Sequence, residues 1–95
     1  MIQVVRFIEG LKNKGYEIST PIVRKSVGRF SWGDIHNITC ITCVMWLGGT
    51  SLEIAVVRTK RGYKVETGIF PNDILHGEAI SQNQAIHILK KALGL

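Results

Sequence analysis

VGRFSWGDIHNITCITCVMWLGGTSLEIAVVRTKRGYK, from Val27 to Lys64, is the stretch whose reading decides the fold. Within it, Ile38–Trp46 and Leu52–Thr59 are rich in β-branched and apolar residues, and the Leu-Gly-Gly-Thr between them is short enough to turn one run back on the other. They predict a hairpin at the centre of a small domain. On the first strand Ile38, Cys40, Thr42, Val44 and Trp46 share one face, and Thr39, Ile41, Cys43 and Met45 the other. Neither face is charged, the pattern of a central strand covered on both sides. The second strand sets Leu52, Ile54 and Val56 against Glu53, Ala55 and Val57, and leaves the core at Arg58. Lys60-Arg61-Gly62-Tyr63 is a glycine-bearing turn into Tyr63–Phe70, where Tyr63, Val65, Thr67 and Ile69 oppose Lys64, Glu66, Gly68 and Phe70. The middle of the chain therefore reads as an antiparallel meander.

Outward from that centre, Ile2, Val4, Val5, Phe7, Ile8 and Leu11 recur near helical spacing, which predicts an amphipathic helix over about 2–14 that stops at Gly15. Tyr16–Val23 looks extended, but Pro21 removes a ladder donor, so a broken edge strand is expected near 16–24. Arg24–Gly33 reads as a basic loop with Phe30 and Trp32 among its charges. Strands follow near 37–46, 51–60 and 63–70. Pro71–Ile80 reads as a loop with a short helical turn at Asp73–His76. Ser81-Gln82-Asn83-Gln84 has capping-box spacing ahead of Ala85, Ile86, Ile88, Leu89, Ala92 and Leu93, predicting a helix near 82–93. The expected fold class is α+β: an N-terminal helix, a mainly antiparallel meander of three to four strands, and a C-terminal helix, all in one domain over residues 1–95.

Twelve Lys and Arg against seven Asp and Glu give a formal charge of +5, which suits a polyanionic partner. Seven of the twelve cations fall in two clusters, Arg24/Lys25/Arg29 and Arg58/Lys60/Arg61/Lys64, while Asp34 is the only acid between Ile18 and Leu52. Each cluster alone could be ordinary solvated charge; two flanking one hairpin point to nucleic acid, with all seven cations on one face. No run approaches the roughly 18 apolar residues of a membrane span, and Arg6 and Glu9 interrupt the N-terminal apolar pattern, so neither a membrane nor a secretory route is expected. The expected location is cytoplasmic. Cys40 and Cys43 form the string CITC, but inside a strand residues three apart face opposite ways, so the pair reads as inert reduced thiols rather than a redox or metal pair.

Complete catalytic motifs are not evident. His36 and His76 read as loop residues, His87 as a solvated helix residue, and Gly48-Gly49 as a turn rather than a phosphate loop. Glu9, Asp34, Glu53 and Glu66 are the acids that could meet near the hairpin, where two or three carboxylates round one Mg²⁺ would permit phosphodiester hydrolysis.

The opening helix, the bent strand, the Gly-Arg-Phe-x-x-x-Asp-Ile segment, two apolar strands ending in cations and a later helix together resemble the PD-(D/E)XK nucleases, especially small archaeal Holliday junction resolvases, in a degenerate and shortened form. The likeness runs from about Val5 to Arg61, with Ser81–Leu93 similar to the following helix. It implies a restriction-endonuclease-like core. In one register Cys40 stands where the family has its metal Asp and Val56-Val57-Arg58 where it has acid-x-Lys, with Glu9 as the helix acid; the metal site is then lost. In a second register Asp34 is the Asp and Glu53-Ile54-Ala55 the tripeptide, with Lys60 replacing the missing lysine. The resemblance thus implies a nuclease-like scaffold that binds nucleic acid without cutting it.

Three functions compete. One is a nucleic-acid-binding protein without metal or cofactor, gripping phosphates through Arg24, Lys25, Arg29, Arg58, Lys60, Arg61 and Lys64 while Phe30 and Trp32 stack or wedge. Another is an active Mg²⁺-dependent endonuclease using Asp34 and Glu53, aided by Glu9 and Lys60. The third is a small viral or mobile-element regulator acting through protein contacts, whose helix–meander–helix order also resembles double-stranded-RNA-binding folds. A homodimer through an exposed strand or helix face is compatible with all three.

Overall fold

The computed structural model describes residues 1–29, 35–69 and 72–95, with side chains for 1–25, 39–68 and 74–95. Its elements run α1 (Ile2–Asn13), β1 (Ile22–Arg29), β2 (Ile35–Leu47), β3 (Thr50–Thr59), β4 (Gly62–Ile69), β5 (Asn72–Ala79) and α2 (Gln82–Ala92). The strands form one five-stranded sheet in the order β1-β2-β3-β4-β5, antiparallel throughout. The α+β meander read from the sequence is present, with more strands than expected.

The central hairpin turns at Gly48 and Gly49, whose φ values of 55° and 85° give the two positive-φ positions that a two-residue turn with native strand twist requires. Leu47 pairs with Thr50 across it. Register then sorts the side chains. Ile41, Val56 and Val65 lie side by side in one cross-strand row and are fully buried, as are Met45 and Ile54 on the same face. Each such side chain contributes about 1.5–3 kcal/mol when taken out of water. Val4, Ile8 and Leu11 of α1 and Ala85 and Leu89 of α2 join them in one core, so both helices cover the same face of the sheet. Gly77 of β5 allows α2 to sit close, since a Cβ there would already touch Ile88 of that helix.

Both helix starts depend on tertiary or near-tertiary caps. Met1 makes no side-chain cap on α1; instead Gln82 Oε1 accepts from the Gln3 and Val4 backbone N–H groups at 3.0 and 3.3 Å. At α2 the Ser81 half of the expected capping box forms, with Ser81 Oγ accepting from Gln84 N at 3.2 Å, while Gln84 Oε1 accepts from Ile80 N at 3.0 Å, one residue before the N-cap.

Three sequence expectations need correction. The break at Pro21 is real: Ile18 bridges to Met45 and Ser19 N donates to Val44 O at 2.8 Å before the chain resumes as β1. But Arg24–Arg29 is strand rather than basic loop, pairing with Ile35–Cys40 at the sheet edge. Charge there is compatible with a strand because cations on an outer edge discourage pairing with other chains. Second, Pro71–Ile80 is not a loop with a helical turn; Asn72–Ala79 is the fifth strand. A register shift opposite Val65/Glu66 makes His76 an extra residue, which breaks the period-two signal by which strands are recognised. The displaced His76 ring instead bonds Thr67 Oγ1, partner to the one buried polar side chain among the described residues. Third, β2 is covered by helices on one face only, although neither of its faces is charged.

Candidate functional site

Cross-strand register places the predicted cations more sharply than sequence could. Arg24 of β1 pairs with Cys40, Cys40 with Val57, Val57 with Lys64 and Lys64 with Glu78, a row on the face away from the helices. The next row, Lys25–Thr39–Arg58–Tyr63–Ala79, lies on the helix side and contains no carboxylate. Lys60 and Arg61 form the turn between β3 and β4 immediately beyond it, where Arg61 N donates to Thr59 Oγ1 at 3.3 Å. The two clusters, remote in sequence, therefore meet at one end of the sheet, where Lys25 and Arg58 share a row. They do not share one face, as expected from sequence, because alternate residues of a strand point to opposite sides: Arg24 and Lys64 face one way, Lys25 and Arg58 the other. Arg29 closes β1 opposite Ile35. Phe30, Trp32 and Asp34 lie outside the described residues.

The same end receives both helix N-termini. Tyr63 pairs with Ala79 at the close of β5, Ser81 then caps α2, and Gln82 from its first turn holds the start of α1. The N–H groups of Gln3, Val4 and Gln84 are already bonded to side-chain oxygens, and both helix starts add positive field at this end. Gly62, at φ 142°, keeps this corner tight: a Cβ on it would collide with the Ala79 carbonyl oxygen. Lys25, Arg58, Lys60 and Arg61 are all exposed, whereas Lys64 is half-buried with Glu78 Oε1 3.9 Å from its ammonium. A pair of that length and exposure contributes little to stability.

The acids fall elsewhere. Glu53 pairs with Val44 and Gly68 on the face away from the helices, whereas Glu9 is exposed on α1, which covers the opposite face. Glu66 is the diagonal neighbour of Glu53, and both line a shallow hollow with Arg24, Thr42 and Ala55. Lys60 lies seven residues beyond Glu53, roughly 23 Å at about 3.3 Å per extended residue. Of the positions that the nuclease resemblance matches to its metal acids, Cys40 and Val56 face opposite sides of the sheet, so acids placed there would not converge on one ion. Among the described residues no three His, Cys, Asp or Glu side chains gather as metal ligands.

Cys40 and Cys43 are free and face opposite ways, as their spacing predicts. Burial pushes the Cys43 thiol up to about 11. Cys40 is raised too, first by burial and then by Glu66, with Arg24 opposing. Neither is poised as a nucleophile. His76 and His87 come from β5 and α2 to one shallow groove with Lys91, a juxtaposition the sequence did not signal. No helix among the described residues is long and apolar enough to cross a membrane.

Set against family models, curated proteins and solved structures, the chain matches none.

Proposed function

We propose that the β3–β4 end of the sheet binds the phosphate backbone of a nucleic acid, and binds it without cleavage. What carries this reading is the strand register, which sets Lys25 and Arg58 in one carboxylate-free row beside the Lys60-Arg61 turn. Four exposed cations from two distant segments, with two helix N-termini behind them, give a local positive field that a solvated charge run on one loop would not. Arg24 and Lys64 sit at the margin of this surface, on the other face. The placement of the described acids supports binding over cutting: Glu9 and Glu53 lie on opposite sides of the sheet, and Lys60 is far from Glu53. The site needs no metal or cofactor to hold phosphate. Two free, high-pKa thiols suit the reducing cytoplasm.

Fluorescence anisotropy with labelled DNA and RNA, duplex and single-stranded, tests the proposal across a salt series. Four phosphate contacts give a slope of log K against log salt of about −3 to −4, and Arg58→Ala or Lys60→Ala reduces its magnitude by about 1. Binding that ignores salt, or that survives Lys25→Ala, Arg58→Ala, Lys60→Ala and Arg61→Ala together, would show that this end is not the site. Cleavage of the probe in Mg²⁺, abolished by Glu53→Ala in a folded protein, would instead establish the nuclease reading.

A further inference from the structure

Among the described residues nothing covers the face of the sheet away from the helices, yet its central strand is written as though it were covered. Cys40, Thr42, Val44 and Trp46 occupy that face of β2, beside Ala55 and Val57 of β3. Ile22 on β1 and Leu75 on β5 flank them, each 52% exposed, and Trp46 is 45% exposed. An antiparallel strand with one side in water ordinarily alternates apolar with polar residues; β2 does not.

The charges on this face say what covers it. Among the residues whose side chains are described, Arg24 and Lys64 share this face with Glu53, Glu66 and Glu78, so acids outnumber bases there on a chain whose total is +5. Such a face is a poor match for a polyanion or for a strongly acidic protein. A two-fold contact lays one patch on itself and so requires both signs within the patch. Lys64 and Glu66 meet that requirement directly: they are two apart on β4, on the same face, and a two-fold axis crossing the strands between them sets each Lys64 against Glu66 of the other copy. Five strands at about 4.8 Å and roughly eight residues at about 3.4 Å give a face near 24 × 27 Å, roughly 650 Å², comparable with the ~800 Å² per partner of a stable interface.

We propose that the uncovered sheet face is a dimerisation surface, packing against the same face of a second copy of this chain. The inference is independent of nucleic-acid binding, and the contact leaves Lys25, Arg58, Lys60 and Arg61 of each copy on the helix side and the turn, outside the interface.

Sedimentation equilibrium of the full chain, without nucleic acid, tests it. Wild type is expected to give twice the 10.6 kDa chain mass, dissociating on dilution. Ala55→Arg, in the middle of the face, is expected to sediment as a monomer with an unchanged circular dichroism spectrum. Lys64→Glu is expected to weaken the dimer by at least about tenfold, and adding Glu66→Lys to restore it, since the cross-copy pair is then re-formed with signs exchanged. A wild type that stays monomeric at every concentration overturns the proposal, whatever else covers the face. So does a folded Ala55→Arg that remains dimeric. Should Ala55→Arg fail to fold, alkylation of wild type decides: Cys40, on the face, is expected to become protected as concentration rises while Cys43 stays slow throughout, and a Cys40 rate independent of concentration rejects the dimer.

Discussion

Cys43 is buried beneath the helices next to Ile54 and Thr67 in its cross-strand row, and the cost of placing a thiolate there lifts its pKa to about 11. A group whose folded pKa exceeds its unfolded one contributes stability that is fully present below the unfolded value and is lost as pH rises through the folded value. Unfolding free energy measured by urea titration is therefore expected to fall as pH climbs from about 9 towards about 11. In Cys43→Ala that part of the decline should vanish; an equally steep decline would mean that another group is responsible. The opposed facing of the two thiols was legible from their spacing alone, because period two holds wherever a strand is regular. The depth of burial was not, since it depends on which face the helices choose.

At the scale of the element, α1 illustrates a helix whose start is completed by a distant residue. Gln82 supplies the acceptor for two N–H groups that Met1 leaves unpaired, and in doing so ties the first helix to the last. Gln82→Ala is expected to lower stability by about 0.5–2 kcal/mol, the range for loss of an N-cap, with the loss appearing in denaturant midpoint rather than slope. An unchanged midpoint would mean that water replaces the amide oxygen at no cost. No local rule could have found this cap, as the partners stand 79 residues apart. The Ser81 cap on Gln84 N, by contrast, is local and was readable. The strands divide in the same way. β2 and β3 are legible as apolar, β-branched runs and β4 by its period-two pattern; β5 was hidden by the extra residue at His76, and β1 by edge cations that resemble a loop.

Over the whole molecule the cations are spread unequally between its two ends. Lys12 and Lys14 close α1 where the chain passes to Ile18 and its bridge with Met45, at the end of the sheet opposite the Lys60-Arg61 turn. Lys12→Ala with Lys14→Ala removes as much charge as Arg58→Ala with Lys60→Ala, yet only the second pair is expected to weaken nucleic-acid binding by about tenfold or more at low salt. Equal losses from both pairs would indicate attraction by net charge alone, without a defined surface.

By itself the sequence determined the class of fold, the central hairpin, the two amphipathic helices and the presence of two basic clusters, because each of these is written in short-range periodicity, turn residues and local capping. Tertiary structure alone decided that the clusters meet at one end and divide between two faces, that Glu9 and Glu53 are kept apart, and that one face of an uncharged strand is left without a helix. Strand order and register set those relations, and they arise from pairing between segments remote in the chain, where one residue of shift exchanges every side chain between the two faces.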